Sequence, residues 1–299
     1  MIYILLTEKC NAKCEYCYFP KIKPYIIDTY NNLDELKKIF MFLHKIDNDI
    51  LLGGGEPGII PVHQLDDIFN ILNKCMVATN GTFVKNGLYE RYKEKISIID
   101  YHVLHPDCKI YETPVNKYIY IVHRKNIKTI PHLLKRFGNT ITLKFYNSIR
   151  RNNITEDDLI LTNDNLNELL TYCIKFNYNE SFTEVIKNHI NVKDRMILNN
   201  KCRYLILPTP GLNLVKNKIS PCCRSDYLVD DTYPDITYEN FKKYVYRCNP
   251  LKGYGKELLD KIPCESCYRF FDDDIFDNKV IKTYIRQRVK ALTIIKNEI

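Results

Sequence analysis

The sequence predicts an α/β protein in which strands and helices alternate over about the first 180 residues. Six short apolar segments are typical of buried parallel strands, and segments with helical periodicity lie between most of them. Repetition of the strand–helix unit favours a parallel sheet covered by helices, as in a (βα)6 partial TIM barrel. A β-hairpin and a basic amphipathic helix are expected in the remaining residues.

The elements follow in order along the chain. The predicted strands cover residues 1–6, 49–52, 75–79, 96–104, 117–123 and 140–147. The predicted helices cover residues 33–47, 62–73, 86–94, 127–137 and 163–177. Between the fourth and fifth strands, the sequence His105-Pro106-Asp107 indicates a loop or a reduced helix. Apolar residues recur at helical spacing from Val280 to Ile295, which predicts an amphipathic helix near the C-terminus.

Composition limits the class of protein. The 299 residues can bury one large core, or a core with a small additional unit. The chain has no run of 18 apolar residues, and its first residues lead directly into a strand, so we expect neither a membrane span nor a signal peptide. Twelve cysteines without a secretion signal favour a reducing, cytoplasmic compartment and metal ligation over disulfides.

The formal net charge of +8 has two interpretations. It could indicate an anionic partner such as nucleic acid. It could also reflect solvated lysines in a chain rich in Lys, Asn and Ile. The basic residues are spread along the chain, so we favour the second interpretation and expect no nucleic-acid partner.

Three cysteines follow the first predicted strand. Cys10, Cys14 and Cys17 have the spacing C-x3-C-x2-C. Three thiolates can hold three irons of a [4Fe–4S] cluster, which leaves the fourth iron open to a ligand that is not protein. A zinc knuckle is the alternative, but zinc usually takes four protein ligands and no fourth Cys or His lies nearby. Because the loop follows a strand, it is expected at the edge of the sheet where α/β folds place their chemistry.

This pattern resembles the radical S-adenosylmethionine (SAM) family. In that family the open iron is chelated by SAM, and an electron from the cluster cleaves SAM to give a 5′-deoxyadenosyl radical. Tyr16 stands where the family has an aromatic or bulky residue before the third cysteine, which makes it a cofactor-binding candidate. The resemblance also implies a reducing partner such as flavodoxin or ferredoxin.

A glycine-rich turn and an Asn-Gly turn extend the resemblance. Gly54, Gly55 and Glu56 match the Gly-Gly-Glu stretch that binds the amino group of SAM in the family. Glycines let a backbone approach a ligand closely, and a carboxylate can accept hydrogen bonds from an ammonium group. Asn80 lies in Thr-Asn-Gly, which ends the third strand in many relatives, and the resemblance makes it a further cofactor-binding candidate. Taken alone, the two segments would indicate only a strand–helix loop and a turn.

Cysteines return after residue 180. Cys202 and Cys222 stand at the outer ends of a predicted β-hairpin, and Cys264 and Cys267 form a later C-x2-C pair. Four thiolates suit either a structural zinc or a second [4Fe–4S] cluster.

The layout resembles the SPASM and twitch extensions of radical SAM enzymes. Asn217 occupies the position of the glycine in that motif, and asparagine also tolerates a left-handed turn. No cysteine follows Cys267, which matches the shorter twitch form with one auxiliary cluster. The resemblance therefore implies a partial barrel over 1–180 and an auxiliary cluster region over 181–299. Cys223 or Cys248 could replace one of the assigned ligands.

Several further residues are candidates for the site or the core. Cys75 and Cys173 are expected in the core as buried free thiols. Cys108 follows the fourth strand, but most lone cysteines are structural. His102 and His105 stand at the end of the fourth strand, where substrate would lie, and are the candidate catalytic residues.

The layout implies a net oxidation. The SAM radical would remove a hydrogen atom from the substrate, and the auxiliary cluster would accept the remaining electron. Dehydrogenation of a small molecule is the main prediction, and modification of a ribosomally made peptide is the alternative. The chain shows no N-terminal leader-binding domain and no full SPASM extension, which favours the small molecule. A non-catalytic electron carrier is a third possibility, but a carrier has no need of the Gly-Gly-Glu stretch.

Overall fold

The computed structural model describes residues 2–17, 29–146, 159, 161–191, 211–220, 233–247 and 278–298. The strands are β1 Ile2–Thr7, β2 Ile50–Gly54, β3 Cys75–Thr79, β4 Ile96–His102, β5 Asn116–Val122, β6 Ile141–Phe145, β7 Gly211–Asn213 and β8 Lys218–Ser220. They form one sheet in the order β6-β5-β4-β3-β2-β1-β7-β8.

The sheet is parallel except at one edge. Strands β1 to β6 pair in parallel with their neighbours, and β7 pairs in parallel with β1. Strand β8 runs antiparallel to β7 as the second arm of a hairpin. Within the described residues the sheet ends at β6 and β8, so the barrel is open. This confirms the predicted α/β partial barrel.

Helices cover one face of the sheet. They are α1 Leu33–Lys45, α2 Val62–Ile71, α3 Thr82–Lys85, α4 Leu88–Tyr92, α5 Ile130–Phe137, α6 Asn163–Lys175, α7 Glu180–Asn191, α8 Tyr238–Arg247 and α9 Asn278–Asn297. Short 3-10 turns precede α5 and follow α4.

Alternation along the strands separates the core from an inner face. Ile2, Ile4 and Leu6 of β1 belong to the main core cluster beneath the helices. Leu5 lies on the opposite face, where it pairs with Gly53 of β2 and with a residue of β7. Each large apolar side chain buried in this core contributes on the order of 1.5–3 kcal/mol. The core thus fixes the strands and leaves the inner face of the half-barrel to line a site.

Two helices differ from the prediction. The helix predicted over 86–94 is present as α4, Leu88–Tyr92, followed by a 3-10 turn over Lys93–Lys95. Helix α3 precedes it and was not predicted, and Gly87, with a φ of +75°, separates the two helices. Helix α7 was not predicted, since its segment is mostly polar. It is held by Val185 and Ile186, which are buried. The segment between β4 and β5 contains no helix, as predicted.

The hairpin is confirmed, and it extends the main sheet beside β1. Asn217 in its turn has a φ of +54°, the left-handed conformation predicted for this position. The aromatic rings of Phe42 on α1 and Phe241 on α8 are 5.8 Å apart, which packs the C-terminal helices on the barrel. The domain boundary near residue 180 stays a prediction. None of the described helices is both long and apolar enough to cross a bilayer.

Candidate active site

The cysteine loop begins after β1, at the C-terminal edge of the sheet. Cys10, Cys14 and Cys17 are free thiols, and each is partly buried. The Cys17 N–H donates to the Cys14 carbonyl oxygen at 2.9 Å, which closes a turn between these two residues. The three thiols therefore occupy one short, internally bonded loop.

Backbone hydrogen bonds attach this loop to the glycine turn after β2. The Gly55 N–H donates to the Thr7 oxygen at 2.7 Å, and the Glu56 N–H donates to the Lys9 oxygen at 2.8 Å. A Cβ on Gly55 would lie 1.8 Å from the Lys9 oxygen. A Cβ on Gly54, where φ is +121°, would lie 2.3 Å from the Thr7 oxygen. The glycines therefore make room for the cysteine loop; their contact with a ligand stays a prediction.

Glu56 is a carboxylate only 1% exposed that joins the ends of β2 and β3. Its Oε1 accepts from the Gly58 N–H at 2.8 Å and from Thr79 Oγ1 at 2.7 Å. Its Oε2 accepts from the Asn80 N–H at 2.7 Å. Burial raises the pKa of Glu56 above its usual value, although the hydrogen bonds oppose that shift. The Phe83 backbone N–H acts on the carboxylate in the same direction as these hydrogen bonds.

The Tyr16 side chain extends from the cysteine loop to the end of β5. Its ring centroid is 5.6 Å from that of His123, and His123 packs against Tyr146 with the ring centroids 6.5 Å apart. Burial raises the pKa of Tyr16, and the nearby Cys14 thiol adds to the shift. The Tyr16 hydroxyl also hydrogen-bonds to Cys14. The aromatic residue of the motif is thus anchored on the opposite side of the half-barrel from β1.

His102 lies at the end of β4, on the inner face. In the sheet register His102 lies opposite Ile119 of β5, and Ile119 lies opposite Thr142 of β6. Lys144 is two residues further along β6 and therefore lies on the same face of the sheet. Burial lowers the pKa of His102 to about 4, and the charge of Lys144 adds to the shift. The imidazole is therefore neutral near pH 7, where it can donate one hydrogen bond and accept another.

This shift predicts a pH dependence of stability. Unfolded His102 would titrate near pH 6.5, whereas the folded residue stays neutral down to about pH 4. As the pH falls from 6.5 to 4, the unfolded state binds the proton and the folded state is destabilised by about 1–3 kcal/mol. Urea unfolding at pH 7, 6 and 5 should show that His102→Gln removes part of this decline. His105→Gln, a change at an exposed histidine, should not, and equal slopes for all three proteins would contradict the assignment.

His105 lies further out, on the loop between β4 and β5. Its Nδ1 accepts a hydrogen bond from the Asp107 N–H at 3.2 Å, and the Asp107 carboxylate lies 3.3 Å from Nε2 of His132 on α5. Arg136 on α5 donates to the Cys108 carbonyl oxygen at 3.0 Å. These contacts tie the loop to the outer helix layer. The structure therefore separates His105 from the inner face that holds His102, and its catalytic role stays a prediction.

The model of the radical SAM superfamily matches residues 4–158, slightly more than half of the chain. The chain belongs to the radical SAM superfamily. Members of this superfamily are enzymes that bind a [4Fe–4S] cluster and SAM.

One curated relative and two solved structures extend the comparison. A Methanocaldococcus jannaschii protein named as a glycyl-radical enzyme activating enzyme is 33% identical over 132 residues, 42% of this chain and 46% of that protein. The radical SAM chain therefore spans about half the length of this relative. Native anSMEcpe with bound AdoMet has a TM-score of 0.56 at 13% identity, covering 99% of this chain and 98% of that one. Streptococcus suis SuiB bound to precursor peptide SuiA has a TM-score of 0.54 at 12% identity, covering 82% and 64%.

The cysteine loop fits the cluster of a radical SAM enzyme. Burial raises the pKa of the Cys10 and Cys14 thiols, and a bound metal centre would reverse this by stabilising the thiolates. The Cys10 sulfur already accepts the Ala12 N–H at 3.3 Å, a bond suited to a ligating thiolate. In the described part of the chain, no group of three His, Cys, Asp or Glu side chains is arranged to hold a single metal ion. Three thiols on one loop are a donor set for a cluster face.

The predicted auxiliary ligands lie outside the described residues. These are Cys202, Cys222, Cys264 and Cys267, and the alternatives Cys223 and Cys248 lie outside them as well.

Two polar residues of the site, Asn11 and Thr82, were not identified from the sequence. Asn11 lies inside the cysteine loop, and its Nδ2 donates to Thr82 Oγ1 at 2.9 Å, at the start of α3. The available signal was their position, since each is adjacent to a recognised motif.

Proposed function

We propose that this radical SAM enzyme holds its SAM-cleaving cluster on Cys10, Cys14 and Cys17. One observation carries the proposal: the backbone bonds from Gly55 and Glu56 that fix the cysteine loop on the Gly-Gly-Glu turn. They join the cluster motif to the predicted SAM motif at one edge of the sheet. When bound, the cluster supplies the electron that cleaves SAM into methionine and a 5′-deoxyadenosyl radical.

The remaining residues bind and orient SAM. Glu56 is a buried carboxylate whose Oε2 accepts the Asn80 N–H beside the cysteine loop, and on this proposal it also accepts a hydrogen bond from the ammonium group of SAM. Tyr16 is held against His123, and on this proposal its ring packs against the adenine ring of SAM. These roles place SAM across the C-terminal edge of the half-barrel.

The substrate, on this proposal, lies on the inner face of the half-barrel. His102 offers it a neutral hydrogen-bonding group. The reaction we favour is dehydrogenation of a small molecule: the 5′-deoxyadenosyl radical would take a hydrogen atom, and the substrate radical would then lose one electron and release a proton to solvent. Cys202, Cys222, Cys264 and Cys267 would hold the auxiliary cluster that accepts this electron. Flavodoxin or ferredoxin in a reducing cytoplasm would return the enzyme to its reduced state.

A peptide substrate is the second candidate. The observation that favours it is the fold similarity to anSMEcpe solved with the Kp18Cys peptide, with a TM-score of 0.56, and to SuiB solved with SuiA. Within the described residues the sheet is open between β6 and β8, and on this proposal an extended chain enters there. The two candidates differ in the size of the molecule that must stimulate SAM cleavage.

Glu56→Gln tests the SAM site. The variant keeps the shape of the side chain but loses a charge-assisted hydrogen bond to the SAM ammonium group, worth about 1.5–3 kcal/mol. We therefore expect SAM affinity to fall by about 10- to 100-fold, with the iron content unchanged. Isothermal titration of SAM into the anaerobic, cluster-loaded protein measures this.

A matched control separates the site from general charge effects. Glu90→Gln makes the same chemical change at an exposed residue of α4, which forms an ion pair with Lys93, three residues further along the chain. It should bind SAM like the parent protein. Unchanged SAM affinity in Glu56→Gln would show that the SAM site lies elsewhere.

A further inference from the structure

Asn80 connects the end of β3 to the cysteine loop. Its backbone N–H donates to Glu56 Oε2, so the residue is held from the side of the glycine turn. Its side-chain Nδ2 donates to Asn11 Oδ1 at 2.9 Å and reaches the Cys10 sulfur at 3.8 Å. Its Oδ1 accepts from Thr82 Oγ1 at 2.7 Å and from the Thr82 N–H at 3.2 Å.

The hydrogen-bond partners of the Asn80 amide determine which of its two end atoms is the oxygen and which is the nitrogen. A backbone N–H can only donate, so the atom facing the Thr82 N–H must be the oxygen of the Asn80 amide. The nitrogen must then face Cys10 and Asn11. Asn80, Asn11 and Thr82 thus form a closed ring of hydrogen bonds: Asn11 Nδ2 donates to Thr82 Oγ1, and the Thr82 hydroxyl donates to Asn80 Oδ1. Every bond in the ring thus has one donor and one acceptor.

All four hydrogen-bonding positions of the Asn80 amide are used within the protein. Its two N–H groups serve Asn11 and Cys10, and its two lone pairs serve Thr82. No position is left for a polar group of SAM. The Cys10 sulfur, by contrast, receives two donors, the Ala12 N–H and the Asn80 amide.

We propose that Asn80 is a positioning residue for the cluster, whose amide donates to the Cys10 sulfur and raises the cluster's reduction potential. The inference rests on Cys10 being a cluster ligand, as in the proposed function. Hydrogen bonds to cluster sulfurs stabilise the reduced state, because that state carries more negative charge on sulfur. The ring with Asn11 and Thr82 holds the donor in place, so its orientation does not depend on the bound SAM.

The test compares variants of Asn80 in the full-length, anaerobically reconstituted protein without SAM. Asn80→Ala removes the donor, and Asn80→Asp keeps the acceptor for Thr82 but presents an oxygen to Cys10. EPR-monitored redox titration should give a more negative potential for both variants, and the larger shift for Asn80→Asp. Asn86→Ala is the control, since it removes an amide that donates to the Gly58 carbonyl oxygen in the short 3-10 turn Pro57–Ile59. It should titrate like the parent protein.

A SAM titration distinguishes this role from direct SAM binding. We expect Asn80→Ala to bind SAM within about twofold of the parent protein, and Thr82→Val to give a smaller shift in potential, since it opens the ring but keeps the donor. An unchanged potential with weakened SAM binding would overturn the inference and make Asn80 a SAM ligand. If both Asn80 variants fold but assemble no cluster, the tuning role is also overturned. A parent protein that takes up no iron would overturn the proposed function itself.

Discussion

Replacing Cys10, Cys14 and Cys17 together by Ala should remove about four of about eight irons per chain and abolish release of 5′-deoxyadenosine. The three thiols share one loop, and that loop is bonded to the glycine turn through its backbone. The substitutions remove the thiols but leave those backbone bonds, so the fold should persist. Iron analysis and a SAM cleavage assay with a chemical reductant measure the result.

The buried cysteines supply the control. Cys75 on β3 and Cys173 on α6 lie in the core, where burial raises the pKa of each thiol to about 12. A Cys75→Ala, Cys173→Ala variant loses thiols without touching the cysteine loop, so it should keep all its iron and cleave SAM. Continued formation of 5′-deoxyadenosine by the triple variant would overturn the assignment of the cluster.

The strands and the cysteine motif could be predicted because their signals are local. Strand β3 was predicted over 75–79 and occupies Cys75–Thr79, since an apolar run bounded by turn residues fixes both ends. Helix α1 was predicted to end at residue 47 but ends at Lys45, with Ile46 as its C-cap. The spacing of apolar residues does not show at which residue a helix ends. Helix α7 escaped prediction because tertiary contacts of two buried residues hold it, and those contacts cannot be read from a polar segment.

The site was harder to predict because its contacts join distant parts of the chain. From the sequence, the glycines were expected to make room for a ligand. In the structure, glycine is needed at position 55 because a Cβ there would collide with the carbonyl oxygen of Lys9, 46 residues earlier. Asn11 and Thr82 are 71 residues apart and meet only when β1 and β3 end at the same edge. The separation of His102 from His105 depends on how the β4–β5 loop packs on α5, which no motif encodes.

In the proposed function, an auxiliary cluster accepts the electron that substrate oxidation releases. The hairpin predicted between Cys202 and Cys222 is present as β7 and β8, with the left-handed turn at Asn217. If these cysteines join Cys264 and Cys267 around a cluster, Ala at the latter two should lower the iron content from about eight to about four per chain. Substrate oxidation should stop for lack of an electron acceptor, while uncoupled SAM cleavage by the first cluster continues.

A structural zinc is the competing occupant, because four thiolates bind zinc equally well. Metal analysis of anaerobically purified protein separates the two: the cluster predicts about eight irons and no zinc, whereas one zinc with four irons would overturn the auxiliary cluster and the net oxidation with it. Cys223→Ala and Cys248→Ala check the choice of ligands, and each should keep the full iron content. Loss of iron in either variant would move the assignment to that cysteine.

The Cys264→Ala, Cys267→Ala variant should cleave SAM at a rate that no longer depends on substrate, because hydrogen transfer without an electron acceptor cannot complete a turnover.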